Sequence, residues 1–239
     1  MPPQLPLPTP STATESKSDA DSEAPRSLLL DLDGVLVDTL PVMESAWHAV
    51  QATHGLDVPF TAYQEHLGRP FDVIMERLGL ANAEAIHRTY TETSTAVAHL
   101  ARVFDGITDV LLAVAAAGWS LGVVTSKPLL RATPLLSELG CPFAVVRGPD
   151  GPGRGKPAPD PILLALIELG TDPAKATYVG DMAVDQETAH RAGVPYIHAG
   201  WGYGAPIGPS TVVAESPREL LHLLDVTASP APFIEGGLV

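Results

Sequence analysis

Apolar residues along this chain fall into two patterns. Leu28, Leu29 and Leu30 form a short continuous apolar run, the signature of a strand buried on both faces. Similar short runs recur at 119–125 (WSLGVVT), 143–146, 176–179, 196–198 and 211–213. Between them the apolar positions recur at helical spacing. The helices predicted at 108–117, 129–139 and 184–192 are each followed by a glycine, Gly118, Gly140 and Gly193, the usual residue just past a helix. Asp160 and Pro161 read as N-cap and first residue of a helix over 162–169, and a last helix covers 220–224. Regular alternation of strand and helix implies a parallel sheet covered by helices on both faces. In such sheets ligands bind beyond the carboxyl ends of the strands.

One stretch breaks the alternation. From 41 to 101 only helical spacing appears: Val42, Ala46, Ala49 and Val50, then Val73, Ile74, Leu78 and Leu80. A longer helix over 83–100 turns Ile86, Tyr90, Val97 and Leu100 inward. The pattern therefore predicts an α/β core made of residues 27–40 and 102–226, split by an all-helical insert at 41–101. Residues 1–26 are rich in Pro, Ser, Thr and acidic residues and poor in large apolar groups, a composition that cannot offset its ordering entropy. They read as a disordered N-terminal tail; residues 227–239 read as a C-terminal tail. Prolines at 2, 3, 6, 8 and 10 are compatible with a docking peptide, against the plainer reading of a solvated tail.

Charge narrows the partners. The net charge of −14 opposes attraction to nucleic acid or to an anionic membrane, so neither is expected as a partner. A phosphorylated ligand would need positive charge supplied locally. The single cysteine, Cys141, beside apolar sequence, reads as structural. No apolar run is long enough to span a bilayer and the N-terminus lacks a secretory pattern, so a cytoplasmic protein is expected.

The chemistry sits where the strands stop. After Leu30 come Asp31 and Asp33, then Gly34, then Asp38 and Thr39. Two carboxylates about 4 Å apart repel by about 4 kcal/mol at an effective dielectric near 20, so a cation, a shared proton or basic groups must offset them. A strand followed by an Asp-rich turn, with Asp38 capping the next helix, is the plain alternative. A calcium loop is excluded, because Val35 and Leu36 stand where it needs an oxygen ligand and a glycine. Another strand ends in Thr125-Ser126-Lys127, and a third in Gly180-Asp181, with Asp185 four residues on. In a parallel sheet all these ends share one edge. A hard divalent cation with oxygen ligands answers that much negative charge, and Mg²⁺ suits a site that also receives phosphate. Lys156 lies in GRGKPAPDP; this is no phosphate-binding P-loop, since Asp150 and Pro157 replace its first glycine and its hydroxyl residue. Taken singly, each later piece reads equally as a helix cap or a loop lysine. The eight histidines lack zinc spacing.

In order and spacing these pieces resemble the haloacid dehalogenase (HAD) superfamily. Asp31, Asp33, Gly34, Asp38 and Thr39 match its first motif, Thr125 its second, Lys156-Pro157-Ala158-Pro159 its third, and Gly180, Asp181 and Asp185 its fourth. The run at 189–204, AHRAGVPYIHAGWGYG, is similar to the phosphoglycolate-phosphatase-like branch. Ser126 and Met182 depart from residues frequent there, asparagine and serine. The resemblance implies a Rossmann-like core with a helical cap. It implies Asp31 as nucleophile and Asp33 as acid and base. Mg²⁺ would be held by Asp31, Asp33 (through its carbonyl), Asp181 and Asp185, and phosphate by Thr125, Ser126 and Lys156. Asp33 points to phosphate esters, because the dehalogenases lack it. The loop at 66–70 is expected to read the substrate through Arg69, with His66 beside it, against the plain reading of a surface turn. The implied activity is a Mg²⁺-dependent phosphatase acting on a small phosphorylated metabolite, phosphoglycolate or a sugar phosphate, as a monomer or homodimer. A β-phosphoglucomutase-like phosphomutase and a non-catalytic phosphate sensor are the competing readings.

Overall fold

Ser27–Leu30 forms the central strand, β1, with every residue buried. The structure, a computed structural model, describes residues 25–151 and 153–226, so the tails expected at 1–26 and 227–239 lie outside the described residues except at 25 and 26. A two-residue strand, β2 (Val37–Asp38), follows the carboxylate loop. Four helices come next: α1 (Leu40–His54), α2 (Phe60–Gln64), α3 (Phe71–Arg77) and α4 (Ala83–Ala96). The chain returns through β3 (Arg102–Val103), which pairs antiparallel with β2. The rest alternates: α5 (Ile107–Ala116), β4 (Ser120–Val124), α6 (Leu129–Leu139), β5 (Phe143–Arg147), α7 (Asp160–Leu169), β6 (Ala176–Gly180), α8 (Ala183–Ala192), β7 (Tyr196–Ala199), β8 (Val212–Ala214) and α9 (Glu219–Leu223).

Six strands form one sheet in the order β5-β4-β1-β6-β7-β8, all neighbours parallel. Side chains alternate along β1, and the core divides accordingly. Leu28 and Leu30 pack with α5, α6 and α9, while Leu29 packs on the other face with Tyr178 and with Ile162, Ala165 and Ala189 of α7 and α8. Leu30 stands level with Val123 of β4 and Val179 of β6, which brings the three strand ends to one edge. The helical insert has its own core around Trp47, Tyr63, Met75, Ile86 and Tyr90. No helix of the described residues is long and apolar enough to cross a membrane.

Two local expectations need correction. The helix expected over 83–100 stops at Ala96, and a separate 3-10 turn covers Ala98–Leu100. Ser94 and Thr95 hydroxyls both donate to the Thr91 carbonyl, so side chains compete with the helical ladder there. Asp160 is the first residue of α7, with Pro159 as its N-cap, because the Asp160 carboxylate is taken by the Arg154 backbone N–H at 3.1 Å and by its guanidinium. The strands β2 and β3, which bracket the insert, are too short to leave an alternating pattern in the sequence.

Candidate active site

Asp31 extends β1 by one residue, its N–H donating to the Val179 carbonyl at 2.9 Å. Its Oδ1 accepts from the Leu32 N–H at 2.7 Å and faces Lys156 Nζ at 3.0 Å. The chain then folds back on itself at Gly34 (φ +81°), a backbone conformation that favours glycine. Glycine is also required there for space, since a Cβ would come within 2.1 Å of Asp181 Oδ2. From the opposite side, a Cβ on Gly202 would stand 2.2 Å from Asp181 Cβ. Two glycines thus cradle Asp181 at the end of β6.

Asp185, in the first turn of α8, is fully buried and held by three donors. Its Oδ1 accepts from Lys156 Nζ at 2.7 Å and from the Tyr178 hydroxyl at 3.0 Å, and its Oδ2 accepts from the Met182 N–H at 3.0 Å. Asp181 is fully buried too. Its Oδ2 accepts from the Tyr203 N–H at 2.8 Å, but its Oδ1 has no partner among the described residues. Oxygens of Asp31, Asp181 and Asp185 all lie within 4.8 Å of one another.

Burial pushes the Asp31 carboxyl up to about 7; Lys156 opposes this, while Asp185 and Asp33 add to it. Asp181 is driven well above the usual carboxylate range by burial and by Asp185 and Asp31. Burial alone would lower the Lys156 ammonium, yet Asp185 and Asp31 raise it overall, so it stays charged. One ammonium therefore faces three buried carboxylates. The unpartnered Asp181 Oδ1, the glycine cradle and the all-oxygen donor set fit a hard divalent cation.

Asp33, half-buried, accepts at Oδ1 from the Thr39 hydroxyl at 2.5 Å and pairs with Lys127 Nζ at 2.9 Å. Thr125 is buried at the end of β4, and its Oγ1 accepts from the Lys127 N–H at 3.0 Å. Ser126 donates its hydroxyl to the Gly68 carbonyl of the insert at 2.6 Å. The insert is seated closely on the core, since a Cβ on Gly68 would meet Val184 Cγ1 at 2.6 Å. A cavity of about 400 Å³ lies between insert and core, with Arg69, Ser126 and Lys127 among its lining residues. His66 is not among them. A second cavity, of about 280 Å³, is lined by Thr125, Ser126 and Lys156.

Nothing in the sequence singles out Lys127, Arg131 or Tyr203 for a role. Lys127 follows the Thr125-Ser126 strand end directly, and that adjacency was the available signal. Tyr203 lies in the GWGYG run at 200–204; its hydroxyl accepts from the N–H groups of Thr39 at 2.7 Å and Leu40 at 3.1 Å and donates to Asp38 Oδ1 at 3.0 Å. Asp38 itself lies in β2, and its carboxylate accepts from the Leu40 N–H at 3.2 Å.

A family model described as haloacid dehalogenase-like hydrolase matches residues 28–199. The chain belongs to the haloacid dehalogenase-like hydrolases. Among curated relatives, N-acetylmuramic acid 6-phosphate phosphatase of Pseudomonas aeruginosa is 31% identical over 217 residues, covering 84% of this chain and 95% of the relative. Phosphoglycolate phosphatase of Xylella fastidiosa (strain Temecula1) is 34% identical over 213 residues, covering 84% and 91%. This hydrolase is thus an enzyme of the phosphoglycolate-phosphatase-like branch, a phosphoric monoester hydrolase by class. Its fold is shared with a hydrolase from Pseudomonas syringae (TM-score 0.76, 22% identity, 85% of this chain and 100% of the other). It is shared also with CbbY from Rhodobacter sphaeroides in complex with xylulose-(1,5)bisphosphate (TM-score 0.70, 24% identity, 82% and 96%).

Proposed function

We propose that this hydrolase is a Mg²⁺-dependent phosphatase that cleaves a small phosphate monoester, phosphoglycolate or a sugar phosphate, through an aspartyl-phosphate on Asp31. The observation that carries the reading is the strand-edge cluster in which one buried ammonium, Lys156, faces Asp31 and Asp185 while an Asp181 oxygen has no partner among the described residues. Asp31, Asp181 and the Asp33 carbonyl would hold Mg²⁺, with Asp185 as a further ligand or as the group that orients Lys156. When bound, Mg²⁺ neutralises the buried carboxylates and the phosphoryl oxygens so that an anionic nucleophile can approach an anionic ester.

An Asp31 carboxylate oxygen attacks phosphorus, and the ester P–O bond breaks. Asp33 delivers its proton to the departing alcohol oxygen. In the second step Asp33 takes a proton from water, which attacks the aspartyl-phosphate and frees inorganic phosphate and Asp31. The Lys127 ammonium, 2.9 Å from Asp33 Oδ1, and the Thr39 hydroxyl hold the Asp33 side chain in place for both transfers. Lys156 and Thr125 hold the non-bridging oxygens, and Lys156 supplies the local positive charge that the net −14 withholds. The helical insert acts as a cap that excludes bulk water, with Ser126 fastening it to the rim of the site.

Acid quenching of the enzyme during turnover of a ³²P-labelled ester tests the intermediate: label should remain on the chain and map to Asp31. A chain free of label under single-turnover conditions would contradict the covalent route. Arg69, half-buried and lining the larger cavity, is assigned to the substrate end remote from phosphate. Arg69→Ala should raise KM about tenfold or more with little change in Tm, and an unchanged KM would reject that role.

A further inference from the structure

The two cavities differ in chemistry. The smaller has Thr125 and Lys156, the proposed phosphate-binding groups, in its wall; the larger shares Ser126, Pro70 and Asp72 with it and is also lined by Lys127, whose ammonium pairs with the proposed acid Asp33 at 2.9 Å, which places it on the leaving-group side of the proposed reaction. Its volume of about 400 Å³ falls in the range of sites that enclose a whole small ligand. A two-carbon glycolate would occupy only a small part of such a space.

The walls are built for something larger. On the insert side an aromatic surface joins Tyr63, Phe71, Tyr90 and His87, with Phe71 stacked on His87 at 4.5 Å and tilted against Tyr90 at 5.4 Å. On the core side Arg131, from the first turn of α6, reaches the insert. Its guanidinium lies 5.9 Å from the Tyr90 ring centre and donates one N–H to Ser94 at 3.2 Å. A guanidinium has five N–H groups, so the others remain for a ligand. Arg69, Lys127 and Arg131 line the cavity half-buried, while Asp72, where the two cavities meet, and Glu84 line it as exposed residues. Half-buried donors, exposed acceptors and a flat aromatic wall match a polyhydroxylated ring. Its hydroxyls both accept and donate, and its carbon face can lie on the aromatic rings.

From this arrangement we infer that the natural ester is the phosphate of a hexose-sized sugar, with Arg131 as a specificity-determining residue, and that phosphoglycolate is a poor substrate. The inference rests on the phosphatase reading above. The measurement is kcat/KM of the full chain with Mg²⁺ on glucose 6-phosphate, N-acetylglucosamine 6-phosphate, phosphoglycolate and p-nitrophenyl phosphate. At least one hexose phosphate should exceed phosphoglycolate by about tenfold or more. Arg131→Gln should cut the ratio of that hexose phosphate to phosphoglycolate about tenfold, the size of one charge-assisted hydrogen bond lost in a site. Glu84→Gln, at an exposed position, should lower the same ratio and serves if Arg131→Gln fails to fold. Preference for phosphoglycolate, or a ratio unmoved in a folded variant, would overturn the inference while leaving the phosphatase reading standing. Absence of p-nitrophenyl phosphate cleavage together with silence on every ester would overturn both.

Discussion

Among the described residues Lys156 is the one cation that touches both Asp31 and Asp185, and all three side chains are buried. Lys156→Met would leave two buried carboxylates without their ammonium, and the expected loss is about 3–5 kcal/mol of stability, read from urea unfolding. A loss below 1 kcal/mol would mean the cluster is balanced by something else. Asp181 should behave in the opposite way. Among the described residues its Oδ1 has no partner, and burial with Asp185 and Asp31 alongside disfavours its carboxylate form, so as a carboxylate it destabilises the fold. Asp181→Asn should melt no lower than the parent without Mg²⁺, and should lose the stabilisation that Mg²⁺ gives the parent, about 2.7 kcal/mol at a hundredfold excess over Kd. A variant that melts lower and still responds to Mg²⁺ would remove Asp181 from the metal site. These aspartates and Lys156 were legible in the sequence because carboxylates at strand ends are costly and therefore conspicuous. Lys127, Arg131 and Tyr203 were not. Their roles depend on which element each meets in space, and a lysine, an arginine or a tyrosine in a loop or on a helix face is unremarkable as sequence.

Tyr203 shows how the elements are joined. Its backbone N–H holds Asp181, and its hydroxyl serves the first two residues of the passage into α1, Thr39 and Leu40, together with Asp38. Thr39 gives no side-chain cap to α1, since its hydroxyl is committed to Asp33, so the phenol oxygen stands in for the missing cap. Tyr203→Phe should therefore cost about 1–2 kcal/mol, comparable to losing a helix cap, while the Mg²⁺-induced rise in Tm persists because the backbone contact to Asp181 remains. Equal stability in the two proteins would show that water replaces the phenol at no cost. At this scale the strands and most helices were readable from apolar spacing and terminal glycines. What spacing could not show was the β2–β3 pair, whose two-residue strands carry no periodicity, or the early end of α4, where hydroxyl side chains outweigh the apolar positions that suggested continuation.

Across the whole molecule, a parallel sheet gathers Asp31, Thr125 and Asp181 at one edge, and an insert between β2 and β3 covers that edge. The alternation of strands and helices announced the sheet. The closeness of insert to core depends on contacts such as Ser126 to Gly68 and Arg131 to Ser94, which only the folded chain reveals. Metal-assisted phosphoryl transfer at this edge is the central proposal. The most direct measurement is inorganic phosphate release from a panel of phosphate monoesters, with Mg²⁺ and with EDTA, for the parent and for Asp31→Asn. Release that requires Mg²⁺ and vanishes in a folded Asp31→Asn is the predicted result. Release that persists in EDTA, or in Asp31→Asn, would contradict it.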